Sequence, residues 1–324
     1  MSLVASREIK VGAHTFKTPR LVPSFSSKVL VNLDAAIETM SEFITDTTLI
    51  SAYDIHHSKL KGPITFPDLL IIDSGGYESL KDAMLEDLEY TGVEPKVWSV
   101  DLYEKVLDEW KYDVPTAIVS YDHPSIRQSI EKQIAAATEL FNKKPLCAKV
   151  FLIKPENEKD VYLNVNSIVK NIRKLGDFDI IGLTEKELGE NLIEKMLAIA
   201  KIRQALTKID LKTPIHIFGS LDTVTTPLYF LSGADIFDGL TWLRFAFYQG
   251  FLIYQTSYGP LKFDLKLKDY LLQPRCWSEN INELKRFENV LEHYISERKF
   301  ECFRYHSEFI KSTYEVMLGK LKEV

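Results

Sequence analysis

"DLLIIDSGG" (68–76) is the stretch on which the architecture turns. Leu69 to Ile72 run without a polar break into Asp73, then a serine and two glycines. A run that is apolar at consecutive positions, with no alternation, is the pattern of a parallel strand covered on both faces. Two glycines after a strand let the chain take φ > 0, and let a flat ligand approach the main chain without a Cβ in the way.

The same pattern recurs along the chain. The runs are "RLVPSFS" (20–26), "TLISAYD" (48–54), "DLLIIDSGG" (68–76), "TAIVSYDHP" (116–124), "CAKVFLIKP" (147–155), "DIIGLTE" (179–185), "IHIFGS" (215–220) and "ADIFDGL" (234–240), eight in all. Helical spacing fills the gaps. Ile126, Ile130, Ile134, Ala137 and Phe141 repeat at steps of three and four, behind a Ser125/Gln128 capping box. Thr184 with Glu187 forms a second such box, predicting a helix through Leu192, Met196 and Ile199. Strand then helix, eight times, predicts an α/β fold of the (β/α)8 TIM-barrel kind, with a doubly wound open sheet as the alternative. Residues 1–20 read as a polar hairpin and residues 263–324 as long helices. The expected division is a barrel domain with its hairpin over 1–262 and a C-terminal helical subdomain over 263–324.

The chain has 324 residues, 45% hydrophobic and 27% charged, with a net charge of −6. No global basic field draws nucleic acid, so any phosphate contact has to come from local Lys and Arg. Three scattered cysteines, Cys147, Cys276 and Cys302, make no disulfide framework and point to a reducing compartment. No run approaches ~18 apolar residues, so no membrane partner is expected, and the expected location is cytoplasmic.

In a barrel of this kind the active site lies at the C-terminal ends of the strands. The polar residues there are Ser26, Asp54, Asp73, Ser74, Asp122, Lys154, Thr184, Glu185, Ser220 and Asp238: a ring of acids with one lysine. Read one at a time, each has a plainer role beside the chemical one. Asp73 and Asp238 fit helix or turn caps, Asp122 fits an Asx turn before Pro124, and Lys154 fits a charge partner for nearby acids.

Taken together, the stretches resemble the tRNA-guanine transglycosylase family. "DSGGYE" (73–78) is similar to the family's DSGG-aromatic-Gln stretch, "TPRLVPSFSS" (18–27) to its opening strand, and "YDHP" (121–124) to the Asp after its fourth strand. "IIGLTE" (180–185), "IFGS" (217–220) and "IFDGLTWLR" (236–244) follow in the family's order. The resemblance covers about residues 10–250. It implies a TIM barrel in which Asp238 is the nucleophile toward C1′ of the target nucleotide and Asp73 is the acid–base group. It also implies a base-binding set of Ser74, Gly75, Gly76, Tyr77, Asp122, Lys154, Gly182, Leu183 and Gly219, with Arg244 toward phosphate. The implied partners are a nucleic acid, tRNA or DNA, and a guanine or 7-deazaguanine base, with a homodimer or partner subunit possible.

The chain departs from the family pattern in several places. Lys154 and Glu78 stand where the family has glutamines, and Phe247 where it has a second arginine. The family's zinc motif is reduced to Cys276, with Cys302, His306 and His293 as scattered remnants. Zinc takes four ligands in tetrahedral array, so no cofactor is expected. Two alternatives stay open at the level of sequence. One is a catalytically idle base- or partner-binding member, the other a barrel lyase forming a Schiff base on Lys154.

Overall fold

The computed structural model describes residues 3–57, 60, 63–80, 94–123 and 126–323. An antiparallel hairpin, β1 (Glu8–Val11) and β2 (His14–Lys17), precedes eight parallel strands. These are β3 (Arg20–Pro23), β4 (Thr47–Ser51), β5 (Leu69–Asp73), β6 (Thr116–Val119), β7 (Ala148–Ile153), β8 (Ile180–Thr184), β9 (Ile215–Phe218) and β10 (Ile236–Gly239). Each of the eight apolar runs forms one of them. Spatial order follows chain order, with β10 returning to lie beside β3. The fold is an α/β TIM-barrel-like ring surrounded by helices.

The ring closes between β3 and β4 by one bridge, Ser24 with Leu49, reinforced by Phe25 N–H donating to Leu49 O at 3.0 Å. Pro23 explains the thin seam. The β3 N–H groups of Arg20 and Ser24 point to β10. On the β4 side Pro23 has no N–H to give. Its carbonyl accepts instead from Thr48 Oγ1 at 2.7 Å, and the Leu21 N–H is taken by Glu288 Oε2 at 2.9 Å.

The strands bury both faces. Val22, Leu49, Ile71, Val119, Val150, Ile180, Phe218 and Ile236 fill the interior, with Ile9 and Val11 of the hairpin joining them. The intervening residues, such as Ile72, Ile118, Ile181, Ile217 and Phe237, pack outward under the helices. The hairpin is fastened at the end where the strands begin, by Arg7 to Asp235 at 2.6 Å.

Two helix starts differ from the sequence expectation. Ser125 lies outside the described residues; the helix opens at Ile130 behind Ser129, and Ile126 is exposed. After β8, only a 3-10 turn, Glu185–Glu187, follows Thr184. The helix Leu192–Lys208 opens behind Asn191, whose Oδ1 accepts from Glu194 N at 3.1 Å while Glu194 Oε2 accepts from Glu190 N at 2.9 Å. Thr184 flanks that turn without a side-chain capping bond, and its hydroxyl accepts from Lys154 Nζ at 3.3 Å.

Beyond β10, a second hairpin, β11 (Phe245–Tyr248) and β12 (Phe251–Tyr254), leads into the helices Gln255–Lys262, Asp269–Glu297 and Ser307–Lys322. Trp277, Leu284, Leu291, Ile310 and Met317 from this layer share one core cluster with the barrel. Among the described residues no helix is long and apolar enough to cross a membrane.

Candidate active site

Alternation in a strand decides what reaches the mouth. On β10, Ile236 faces inward and Phe237 outward, so Asp238 turns inward at the strand's end. The same parity turns Asp73 inward at the end of β5 and Lys154 just past the end of β7. A cavity of about 530 Å³ lies over these ends, lined by Asp73, Asp122, Lys154, Glu187, Asp238 and Arg244 among others.

Asp238 is fixed by three donors. Ser24 Oγ donates to Oδ2 at 2.7 Å. His216 Nε2 meets Oδ1 at 3.0 Å, and the Gly219 N–H points to the same oxygen at 3.3 Å. A carboxylate only accepts, so Nε2 carries the proton between the two side chains. One flanking strand, β3, leads to Ser24, and the other, β9, carries His216.

Asp73 has a different setting. Its Oδ2 accepts from the Gly75 N–H at 3.0 Å, the turn bond of its capping role. Burial raises its pKa to about 7, and the nearby Glu78, Asp238 and Asp122 carboxylates push the same way, against the Gly75 N–H. Burial also pushes Glu78 up, while Ser26 Oγ, donating to Oε1 at 2.5 Å, opposes it. The Ser74 hydroxyl is buried and meets no hydrogen-bond partner among the described residues.

Across the cavity stands a quartet of charges. Lys154 Nζ lies 2.8 Å from Glu187 Oε1, 3.2 Å from Asp122 Oδ2 and 3.3 Å from Thr184 Oγ1. Arg127 lies 3.4 Å from Asp122 Oδ1 and 4.0 Å from Glu187 Oε1. Two cations and two anions thus share a wall that is mostly closed to solvent. Lys154 does act as a charge partner for acids, and it stays at the cavity surface while doing so.

Ser74, Gly76, Tyr77, Gly219 and Arg244 also line the cavity. A Cβ on Gly76 would come within 3.0 Å of Asp122 Oδ2, so its bareness keeps that side of the cavity open. Gly75, Gly182 and Leu183 are not among the lining residues. Gly75, at φ +85°, is bare because Tyr53 and Trp98 press on it, at 2.7 and 2.9 Å from the position of a Cβ. Leu183 is buried under the outer helices. One face of the Tyr77 ring is covered by Lys28 Nζ, 4.2 Å from its centroid. Asp54 lies back from the mouth, in the helix Ala52–His56, where it accepts from Ser27 N at 2.9 Å. Phe247 is buried in the second hairpin, and its N–H donates to Asn280 Oδ1 at 2.9 Å.

Sequence reasoning passed over Ser24, Arg127, Glu187 and His216. A signal existed for His216: it is a polar residue inside the apolar run "IHIF", and a buried polar residue carries information. For Arg127 and Glu187 no local pattern tells a mouth residue from a solvated one.

Cys276 packs with Ala246 and Tyr258, His293 pairs with Glu297 at 2.9 Å, and His306 Nε2 meets Gly250 O at 2.5 Å. Among the described residues, no three His, Cys, Asp or Glu side chains converge as a metal ion needs. A larger hollow, about 960 Å³, opens beside the second hairpin and the helix Asp269–Glu297, but Asp73, Asp122 and Asp238 do not line it.

No family model matches the chain. The tRNA-guanine(15) transglycosylase of Nanoarchaeum equitans (strain Kin4-M) is 24% identical to it over 301 residues. The match takes in 87% of the chain and 65% of that relative's length.

Proposed function

We propose that the chain is a guanine-transglycosylase-type enzyme, exchanging a guanine in a nucleic acid for a free base, guanine or a 7-deazaguanine, at the barrel mouth. The observation that carries this reading is the pair of carboxyl groups in one cavity with unlike settings: Asp238 held by three donors, Asp73 raised to about 7. The similarity to a transglycosylase supports the same class of reaction.

Asp238 attacks C1′ of the target nucleotide, and the bond from C1′ to the base breaks. Asp73, protonated at that moment, gives its proton to the departing base. An incoming base then loses its ring N–H proton to Asp73 and attacks C1′, and the ester to Asp238 opens. Two displacements at one carbon retain its configuration. A group poised near neutrality suits both halves, because it gives a proton in one and takes one in the other.

The charged wall gives the base its edge contacts. Lys154 gives up Thr184 Oγ1, at 3.3 Å the longest of its three contacts, and donates instead to the O6 or N7 acceptors of guanine, a pairing that geometry favours for lysine. Asp122, its two oxygens already steadied by Arg127 and Lys154, accepts from the amino-pyrimidine edge. An imine-forming role for Lys154 has less support, since its nitrogen already meets three acceptors.

The target nucleotide has to leave its stack to reach the cavity. tRNA is the polymer named for the relative, and DNA is the competing choice. The test is incubation with labelled guanine and separate tRNA and DNA pools. Label entering one polymer supports the reading and picks the substrate; label in neither, at any enzyme concentration, overturns it.

A further inference from the structure

We propose that His216 is a positioning residue that governs how readily Asp238 leaves C1′ in the second half of the exchange. The inference rests on Asp238 being the nucleophile, as proposed above. His216 sits on β9 with its side chain fully buried, and it does not line the cavity, so it reaches the reaction only through Asp238.

The two oxygens of Asp238 are not equivalent. Oδ1 takes two donors, His216 Nε2 at 3.0 Å and Gly219 N–H at 3.3 Å, from groups fixed by the barrel. Oδ2 takes one, the Ser24 hydroxyl at 2.7 Å, which can rotate away. Oδ2 is therefore the oxygen freed to attack, and Oδ1 becomes the carbonyl oxygen of the glycosyl ester.

When the incoming base attacks, the bond from C1′ to Oδ2 breaks and its electron pair returns to the carboxylate. The negative charge spreads onto Oδ1, where His216 and Gly219 already point. Preorganised donors of this kind act where charge develops, without reorganising during the step. The imidazole is held for the task. Its ring stacks on Phe218, with centroids 3.9 Å apart and planes 26° apart. Among the described residues its Nδ1 meets no hydrogen-bond partner, and the Asp238 carboxylate is the polar group its Nε2 meets.

A buried histidine that merely stabilised the barrel would affect both displacements alike. Loss of its proton donor should instead slow opening of the ester more than its formation. The experiment uses the whole chain and the polymer that accepts label. The protein–polymer adduct is formed, free guanine is added, and adduct decay is followed on denaturing gels.

His216→Phe keeps a flat ring against Phe218 and removes the donor. Adduct decay should slow roughly 10- to 100-fold, the range for a hydrogen bond to a charged group, while KM for the polymer stays near wild type. His216→Gln, which can offer an N–H to Oδ1, should recover much of the rate. Both variants are checked by thermal melting. Unchanged decay in folded His216→Phe overturns the inference, as does equal slowing of formation and decay, or a folded His216→Gln as slow as the Phe variant. Asp238→Asn separates the two levels. If it still exchanges base, the nucleophile reading fails and this inference with it. If it is dead while His216→Phe decays normally, only the role of His216 fails.

Discussion

Ser24 and Asp238, 214 positions apart in the chain, share a 2.7 Å hydrogen bond. It joins the loop after the first barrel strand to the last strand, at the seam where β10 returns to β3. The site is therefore complete only when the ring is complete. Asp238→Asn keeps the size of the side chain but removes the charge. Base exchange and the covalent adduct should both vanish, with polymer binding and melting temperature near wild type. Exchange at the wild-type rate would place the nucleophile elsewhere.

In the proposed exchange, Asp73 sets the pH dependence. As an acid it must carry its proton for the first displacement, so adduct formation should fall as pH rises through about 7. As a base it must be free of it for the second, so adduct decay should rise through the same range. Overall exchange then peaks near neutrality. Asp73→Asn should slow exchange by about 10²–10⁴-fold and flatten both limbs. Glu78→Gln removes a charge that raises Asp73, so both midpoints should move to lower pH. Midpoints unmoved in both variants would assign the titration to another group.

Lys154 has a double role to test. Its ammonium balances Asp122 and Glu187, and in the proposed exchange it also donates to the base. Lys154→Ala should weaken free-base binding by about 1.5–3 kcal/mol, measured by calorimetry. It should also lower stability by about 2 kcal/mol, because two largely buried carboxylates are left to Arg127 alone. Base affinity equal to wild type would remove Lys154 from the base site.

Glu288 predicts a stability trend. Burial raises its pKa to about 7, against the Leu21 N–H and Arg20, which favour the charged form. Its folded pKa lies above the ordinary carboxylate value, so between about 4 and 7 the folded state holds the proton more often than the unfolded chain. Stability from this group is complete below that window and is lost as pH rises through about 7. Glu288→Gln keeps an acceptor for Leu21 and removes the titration. The melting temperature of the variant should fall less between pH 5 and pH 8 than that of wild type; parallel curves would contradict the assignment.

Much of this protein was legible from the sequence. The eight runs gave eight strands in order, because a strand covered on both faces declares itself by local composition. The acids at the strand ends could be named for the same reason: a polar residue closing an apolar run is a local event. The hairpin and the helical C-terminal stretch were readable on similar grounds.

Which way each strand residue turns was not readable. A run apolar at every position has no alternation to reveal its inner face, so nothing local told that Ile71 turns into the barrel while Leu70 and Ile72 turn out. The helix start after β8 was misplaced because the cap is supplied farther along by Asn191, while the Thr184 hydroxyl accepts from Lys154. The quartet of Asp122, Arg127, Lys154 and Glu187 joins residues from different β/α units of the ring. Sequence fixes the members of such a set one at a time, but the distances between them come from closing the ring, and closure is a property of strands far apart in the chain.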